Sequence, residues 1–98
     1  MSSVTIVRPT QADKAGWRRL YDGYATFYKR PMDDRKADRV WGWIHDPSHP
    51  VECLLARSAD GALVGLAHVR EFPRPLLGAV GGFLDDLFVD PEIGRAHV

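Results

Sequence analysis

The sequence predicts a small mixed α/β domain of the α+β kind, with the order β-α-α-β-β-β and a mostly antiparallel sheet. Three observations predict it. A short β-branched run opens the chain and is cut by a proline. Two stretches then carry apolar residues at three- and four-residue spacing. Three extended runs follow one another, the first two joined by Asp60-Gly61. A meander of neighbouring strands needs only short connections, so those three runs pair antiparallel, and the two helices cover the sheet they form.

Each element has its own signal. Val4 to Val7 is β-branched and ends at Arg8-Pro9, as a first strand stopped by proline does. Thr10-Gln11-Ala12-Asp13 has the form of a capping box, with an acid three residues after a hydroxyl. Trp17, Leu20, Tyr21, Tyr24, Phe27 and Tyr28 follow at helical spacing on one face. Gly16 and Gly23 weaken that helix by up to ~1 kcal/mol each relative to alanine, so packing must hold it. Arg30-Pro31 ends it. Asp33 or Asp34 caps a second helix, with Ala37, Val40, Trp41 and Ile44 on its inner face. Pro47 and Pro50 bracket its end. Val51 to Ala59 and Leu63 to Val69 are strands around a hairpin in which both Asp60 and Gly61 can take positive φ. Phe72-Pro73-Arg74-Pro75 is expected as a loop or sheet edge, because proline cannot donate to a ladder. Ala79 to Val89 is the last strand, stopped by Asp90-Pro91.

Composition bounds the function. The 98 residues are 45% apolar and 27% charged, which makes one small globular domain rather than a disordered chain. Formal net charge is zero and no like-charge run appears, which argues against a nucleic-acid footprint. The single cysteine, Cys53, leaves no internal disulfide framework and reads as a small buried hydrophobe on a strand. The start lacks a basic and then apolar leader pattern, and no apolar run approaches the ~20 residues of a membrane span. A soluble cytoplasmic protein is the expectation.

The stretch Phe83-Leu84-Asp85-Asp86-Leu87-Phe88-Val89-Asp90-Pro91 resembles the fourth strand of GNAT N-acetyltransferases. Ile6-Val7-Arg8-Pro9-Thr10 is similar to the usual start of that family, and Val64-Gly65-Leu66-Ala67 to its third strand. Gly65-Leu66-Ala67 taken with Leu84 to Val89 looks like the diamine and polyamine acetyltransferase branch. The resemblance covers roughly residues 4 to 91. It implies a partial GNAT fold lacking the cofactor-loop helix and later strands, with acetyl-CoA as cosubstrate, a small-molecule primary amine as acceptor and no metal. It leaves a homodimer open for the intact parent. It also implies that the backbone of Leu87, Phe88 and Val89 receives the pantetheine arm like an added strand. The same residues can equally be buried strand core, and the two readings use different atoms.

Two adjacent acids within an apolar strand are unusual, since a buried carboxylate is costly unless paired or used. Alternation puts Asp85 and Asp86 on opposite faces. By resemblance Asp85 sits where polyamine-type enzymes hold an acid facing the substrate amine. It can bind the cation and take its proton, directly or through water. The alternative is a solvated or salt-bridged edge carboxylate. Asp86 reads as structural. Tyr24 and Tyr28 lie where relatives shape the acceptor pocket, though a tyrosine stripe at helical spacing is also ordinary core. His45 and His49 are four apart, but Pro47 between them prevents a shared helical face, so they do not read as metal ligands. His68 reads as a satisfied interior or edge histidine.

After Pro91 the family pattern fails. A pyrophosphate-binding loop needs several glycines presenting backbone N–H groups at a helix N-terminus, and the chain offers Gly94 and Arg95 alone. The peptide Glu92 to Val98, EIGRAHV, is what a widely used sequencing-library adapter encodes in this frame. Residues 1–91 are therefore expected to be the N-terminal part of a GNAT domain and 92–98 a non-native tail. The expected function is acetyl transfer by an intact parent, with the fragment itself inactive. The alternative is a non-catalytic module that binds a small amine or a partner strand.

Overall fold

Residues 3–92 are described by the structure, a computed structural model. The opening run forms β1 (Val4–Val7). A single 3-10 turn over Gln11–Asp13 leads into α1 (Lys14–Phe27), followed by α2 (Asp34–Ile44). The meander is β2 (Val51–Ser58), β3 (Leu63–Arg74) and β4 (Ala79–Val89). The four strands make one antiparallel sheet in the order β1-β2-β3-β4.

Local chemistry sets the boundaries. The Asp13 carboxylate accepts from the Thr10 backbone N–H at 2.8 Å and from the Thr10 hydroxyl at 3.2 Å, which satisfies a donor at the helix entrance. Asp33 is the residue that caps α2, accepting from the Lys36 N–H at 2.7 Å. At the β2–β3 hairpin only Gly61 has positive φ, at 92°; Asp60 does not. The Ser58 N–H donates to the Ala62 carbonyl and the Gly61 N–H to the Ser58 carbonyl, so the turn is longer than the two-residue loop its sequence suggested. Beyond Arg70, β3 leaves β2 and pairs with β4 alone as far as Arg74. Pro73 sits in that ribbon, where the strand edge on its β2 side is open. The expectation of an edge holds, and the expectation of a loop does not.

The core lies between the two helices and one face of the sheet. Trp17 and Leu20 of α1 and Ala37, Val40 and Trp41 of α2 pack on Cys53 and Leu55 of β2 and Leu66 of β3. Cross-strand register builds that face in rows: Val7, Leu55, Leu66 and Phe88 form one, and Cys53, His68 and Asp86 the next. Full burial of each large apolar side chain contributes about 1.5–3 kcal/mol. The glycines of α1 have a packing reason. A Cβ on Gly16 would come within 2.7 Å of Leu63, and one on Gly23 within 2.7 Å of the Phe88 ring. Close approach of β3 and β4 to α1 compensates their poor helix propensity.

The opposite face of the sheet is open among the described residues. Ile6, Leu84, Leu87 and Val89 are exposed there, the last two at 58%.

Candidate functional site

Asp85 breaks the regularity of β4. His68 opposes Asp86 while the next residue, Val69, opposes Leu84, which leaves Asp85 as an extra residue. Such a β-bulge shifts the in–out alternation by one step. Phe83 and Asp85 stay in phase before it, Asp86 and Phe88 after it. Both acids consequently line one cavity of about 200 Å³ on the helix side of the sheet, together with Tyr21, Trp43, His68 and Arg70. The expectation of opposite faces fails here, because it assumed an unbroken two-residue period.

The two acids are held differently. Asp85 takes a forked contact from the Arg70 Nε–H, at 3.1 Å to one oxygen and 3.0 Å to the other. The Arg70 guanidinium also lies 4.6 Å from the centre of the Phe83 ring, a cation–π contact that fixes its direction. Asp86 instead meets His68, with the Nδ1 to Oδ2 distance at 2.8 Å. His68 is 2% exposed, and its other nitrogen, Nε2, accepts from the Trp17 indole N–H at 3.0 Å. An indole N–H only donates, so Nε2 carries its lone pair and the ring proton sits on Nδ1, donated to Asp86. Burial pushes the Asp86 carboxyl up. Hydrogen bonds from His68, Tyr24 and Tyr21 more than offset this and hold it below the usual carboxylate value. The Tyr21 and Tyr24 phenols are pushed up to about 12, first by burial and then by the Asp86 carboxylate facing them.

Tyr24 reaches this site, with its hydroxyl 3.4 Å from the Asp85 carbonyl oxygen. Tyr28 does not. It caps the C-terminus of α1 and packs at a tilt against Tyr24, with ring centres 4.8 Å apart. Phe27 and Tyr28 leave the core here, at 71% and 54% exposed, although helical spacing placed them on the inner face. Both border a groove of about 220 Å³ along Leu87, Phe88 and Val89. Among the described residues no strand pairs with the outer edge of β4. The Phe88 side chain packs toward the core, whereas Leu87 and Val89 point to the open face. Arg19 anchors the end of this strand, donating to Asp90 at 2.9 Å and to the Leu63 carbonyl at 2.7 Å.

His68 matches its reading as a satisfied interior histidine, since both ring nitrogens are bonded. Its link to Asp86, and the roles of Trp17 and Arg70 around it, were not legible from spacing. Trp17 and His68 are 51 residues apart. Among the described residues no group of three or more His, Cys, Asp or Glu side chains is arranged to hold a metal. No helix among them is long and apolar enough to cross a membrane. Residues 93–98, most of the expected tail, lie outside the described residues.

No family model matches the chain, and no curated protein matches it in sequence. Solved structures do. A ribosomal-protein-alanine N-acetyltransferase from Brucella melitensis biovar Abortus 2308 superposes with a TM-score of 0.68 at 27% identity, over 92% of this chain and 57% of its own. The fold is that of GNAT acetyltransferases. A GNAT family acetyltransferase from Staphylococcus aureus subsp. aureus USA300_TCH1516 gives a TM-score of 0.69 at 14% identity, over 94% of this chain and 65% of its own. The chain thus spans less than two thirds of the length of either GNAT structure.

Proposed function

We propose that this chain is the acceptor-side portion of an N-acetyltransferase that moves acetyl from acetyl-CoA to the primary amine of a small molecule. The observation that carries the reading is the pairing of two features on one strand. A cavity holding two carboxylates lies at the middle of β4, and its last residues run along a groove with an unpaired main-chain edge.

The residues present fit the cosubstrate in part. Backbone groups of Leu87, Phe88 and Val89 would receive an extended amide-bearing arm as an added strand does. Tyr28 and Phe27 would flank it. No glycine-rich phosphate loop occurs among the described residues, so the pyrophosphate would be held by a longer parent chain. Acetyl-CoA supplies an activated acyl group. This chain's own residues attract the ammonium form of the acceptor, hold its nitrogen beside β4 and remove its proton. Asp85 is the group assigned to that proton, directly or through water, while Tyr24 borders the nitrogen's seat.

The test is acetyl-CoA consumption with a panel of primary amines, using the 98-residue chain and a version completed by fusing on the phosphate loop and later elements of a GNAT domain. The completed protein is expected to turn over and the chain alone is not. Turnover by the chain alone would show that the glycine-rich phosphate loop is dispensable. Absence of turnover in a folded, completed protein would leave only an amine-binding module.

A further inference from the structure

We propose that the cavity at the middle of β4 selects a monocationic primary amine over a diamine or polyamine, with Asp86 as the anchor for its ammonium group and His68 as the residue that positions Asp86. This rests on the acetyl-transfer reading and names the class of acceptor for the same site.

The charge count of the cavity decides it. Its charged lining groups are Arg70, Asp85 and Asp86. Arg70 and Asp85 are already joined through both carboxylate oxygens, which leaves Asp86 as the single uncompensated charge. His68 adds none, because the Trp17 N–H occupies Nε2 and the ring proton on Nδ1 is donated to Asp86. Tyr21 and Tyr24 face Asp86 from α1 as neutral phenols, and α2 contributes Val40 and Trp43 without charge. One ammonium group neutralises such a site. A second would be brought beside the Arg70 guanidinium or left without a partner in a space of about 200 Å³. The resemblance to diamine and polyamine enzymes left the acceptor amine open, and the Arg70–Asp85 pair argues against a dication.

The anchor is preorganised. A carboxylate free to rotate loses entropy on gripping a cation, whereas Asp86 is fixed beforehand by a buried ring that is itself fixed by a buried indole. The aromatic side chains of Tyr21 and Trp43 line the same space without adding charge.

The 98-residue chain, labelled with nitrogen-15, is titrated with butylamine, 1,4-diaminobutane and butanol, following the Trp17 indole N–H and the His68 ring nitrogens. Butylamine is expected to bind about tenfold tighter than the diamine, and butanol not detectably. Asp86→Asn is expected to weaken butylamine by about ten- to a hundredfold, the worth of one charge-assisted hydrogen bond. His68→Leu weakens it about tenfold, and His68→Asn, which keeps a donor near the Nδ1 position, restores most of the loss. Arg70→Met frees Asp85 and is expected to reverse the preference toward the diamine. Trp17→Phe keeps the ring packing and removes the donor, so the nitrogen-15 signals should show loss of the single His68 tautomer. Equal binding of mono- and diamine in the parent sequence, or an unchanged preference in Arg70→Met, overturns the proposal. So does a folded Asp86→Asn protein that binds butylamine as before. Acetyl-CoA turnover that favours diamines would sink this inference and leave the transferase reading standing; selective monoamine binding without turnover in a completed protein would do the reverse.

Discussion

At the scale of single residues, burial sets the chemistry of the interior. The Cys53 thiol is pushed up to about 12 by burial alone. It is therefore expected to resist thiol reagents at pH 8 in the folded chain and to react once denaturant exposes it, which a colorimetric thiol assay reads directly. Tyr21 and Tyr24 give a second test. Their phenols sit at about 12 in the fold against an ordinary value of 10, so folding favours the protonated form. The stability this contributes is intact below pH 10 and is lost as pH rises through about 12. Denaturation midpoints measured at pH 9 and pH 12 should differ, and Tyr21→Phe should shrink the difference. Sequence spacing identified Tyr21 and Tyr24 as members of one face, and Asp85 and Asp86 as acids out of place on an apolar strand. It did not show that the four meet. That depends on which strand neighbours which and on one unpaired residue.

At the scale of elements, the boundaries were legible because chemistry punctuates them. Pro9, Asp33 and Asp90-Pro91 each stop or start an element by removing a donor or supplying a cap, and those signals are local; α1 instead ends at Phe27, ahead of Pro31, with Lys29 at positive φ. The bulge at Asp85 carries no such mark. Its neighbours Leu84 and Leu87 are as apolar as Phe83 and Phe88, so no polar–apolar contrast reveals where alternation slips. The glycines of α1 were likewise read as weakness when they are clearance. Gly23→Ala would place a methyl 2.7 Å from the Phe88 ring. Overpacking should outweigh the helix-propensity gain, for a net loss of about 1–2 kcal/mol. In a Phe88→Leu background the same change should cost less, and a double-mutant cycle by denaturant unfolding measures the coupling.

Across the whole molecule, one face of the sheet is closed by two helices and the other presents Ile6, Leu84, Leu87 and Val89 beside a strand with an open edge. A long apolar edge strand templates association with further copies. The chain alone is expected to self-associate at micromolar concentration, and Leu87→Lys to reduce that without loss of helical signal; sedimentation velocity and circular dichroism distinguish the outcomes. The extra residue at Asp85 acts on the same two surfaces as a phase step. Shortening β4 by one residue between Phe83 and Asp86 would erase the step and leave a plain two-residue alternation, with Phe88 still against Gly23 and Leu87 still on the open face. Removing two would turn Phe88 away from Gly23 and swing Leu87 beneath α1, exchanging the wet and dry sides of the strand end. The parity of this strand, more than its composition, decides which side of the sheet meets the helices.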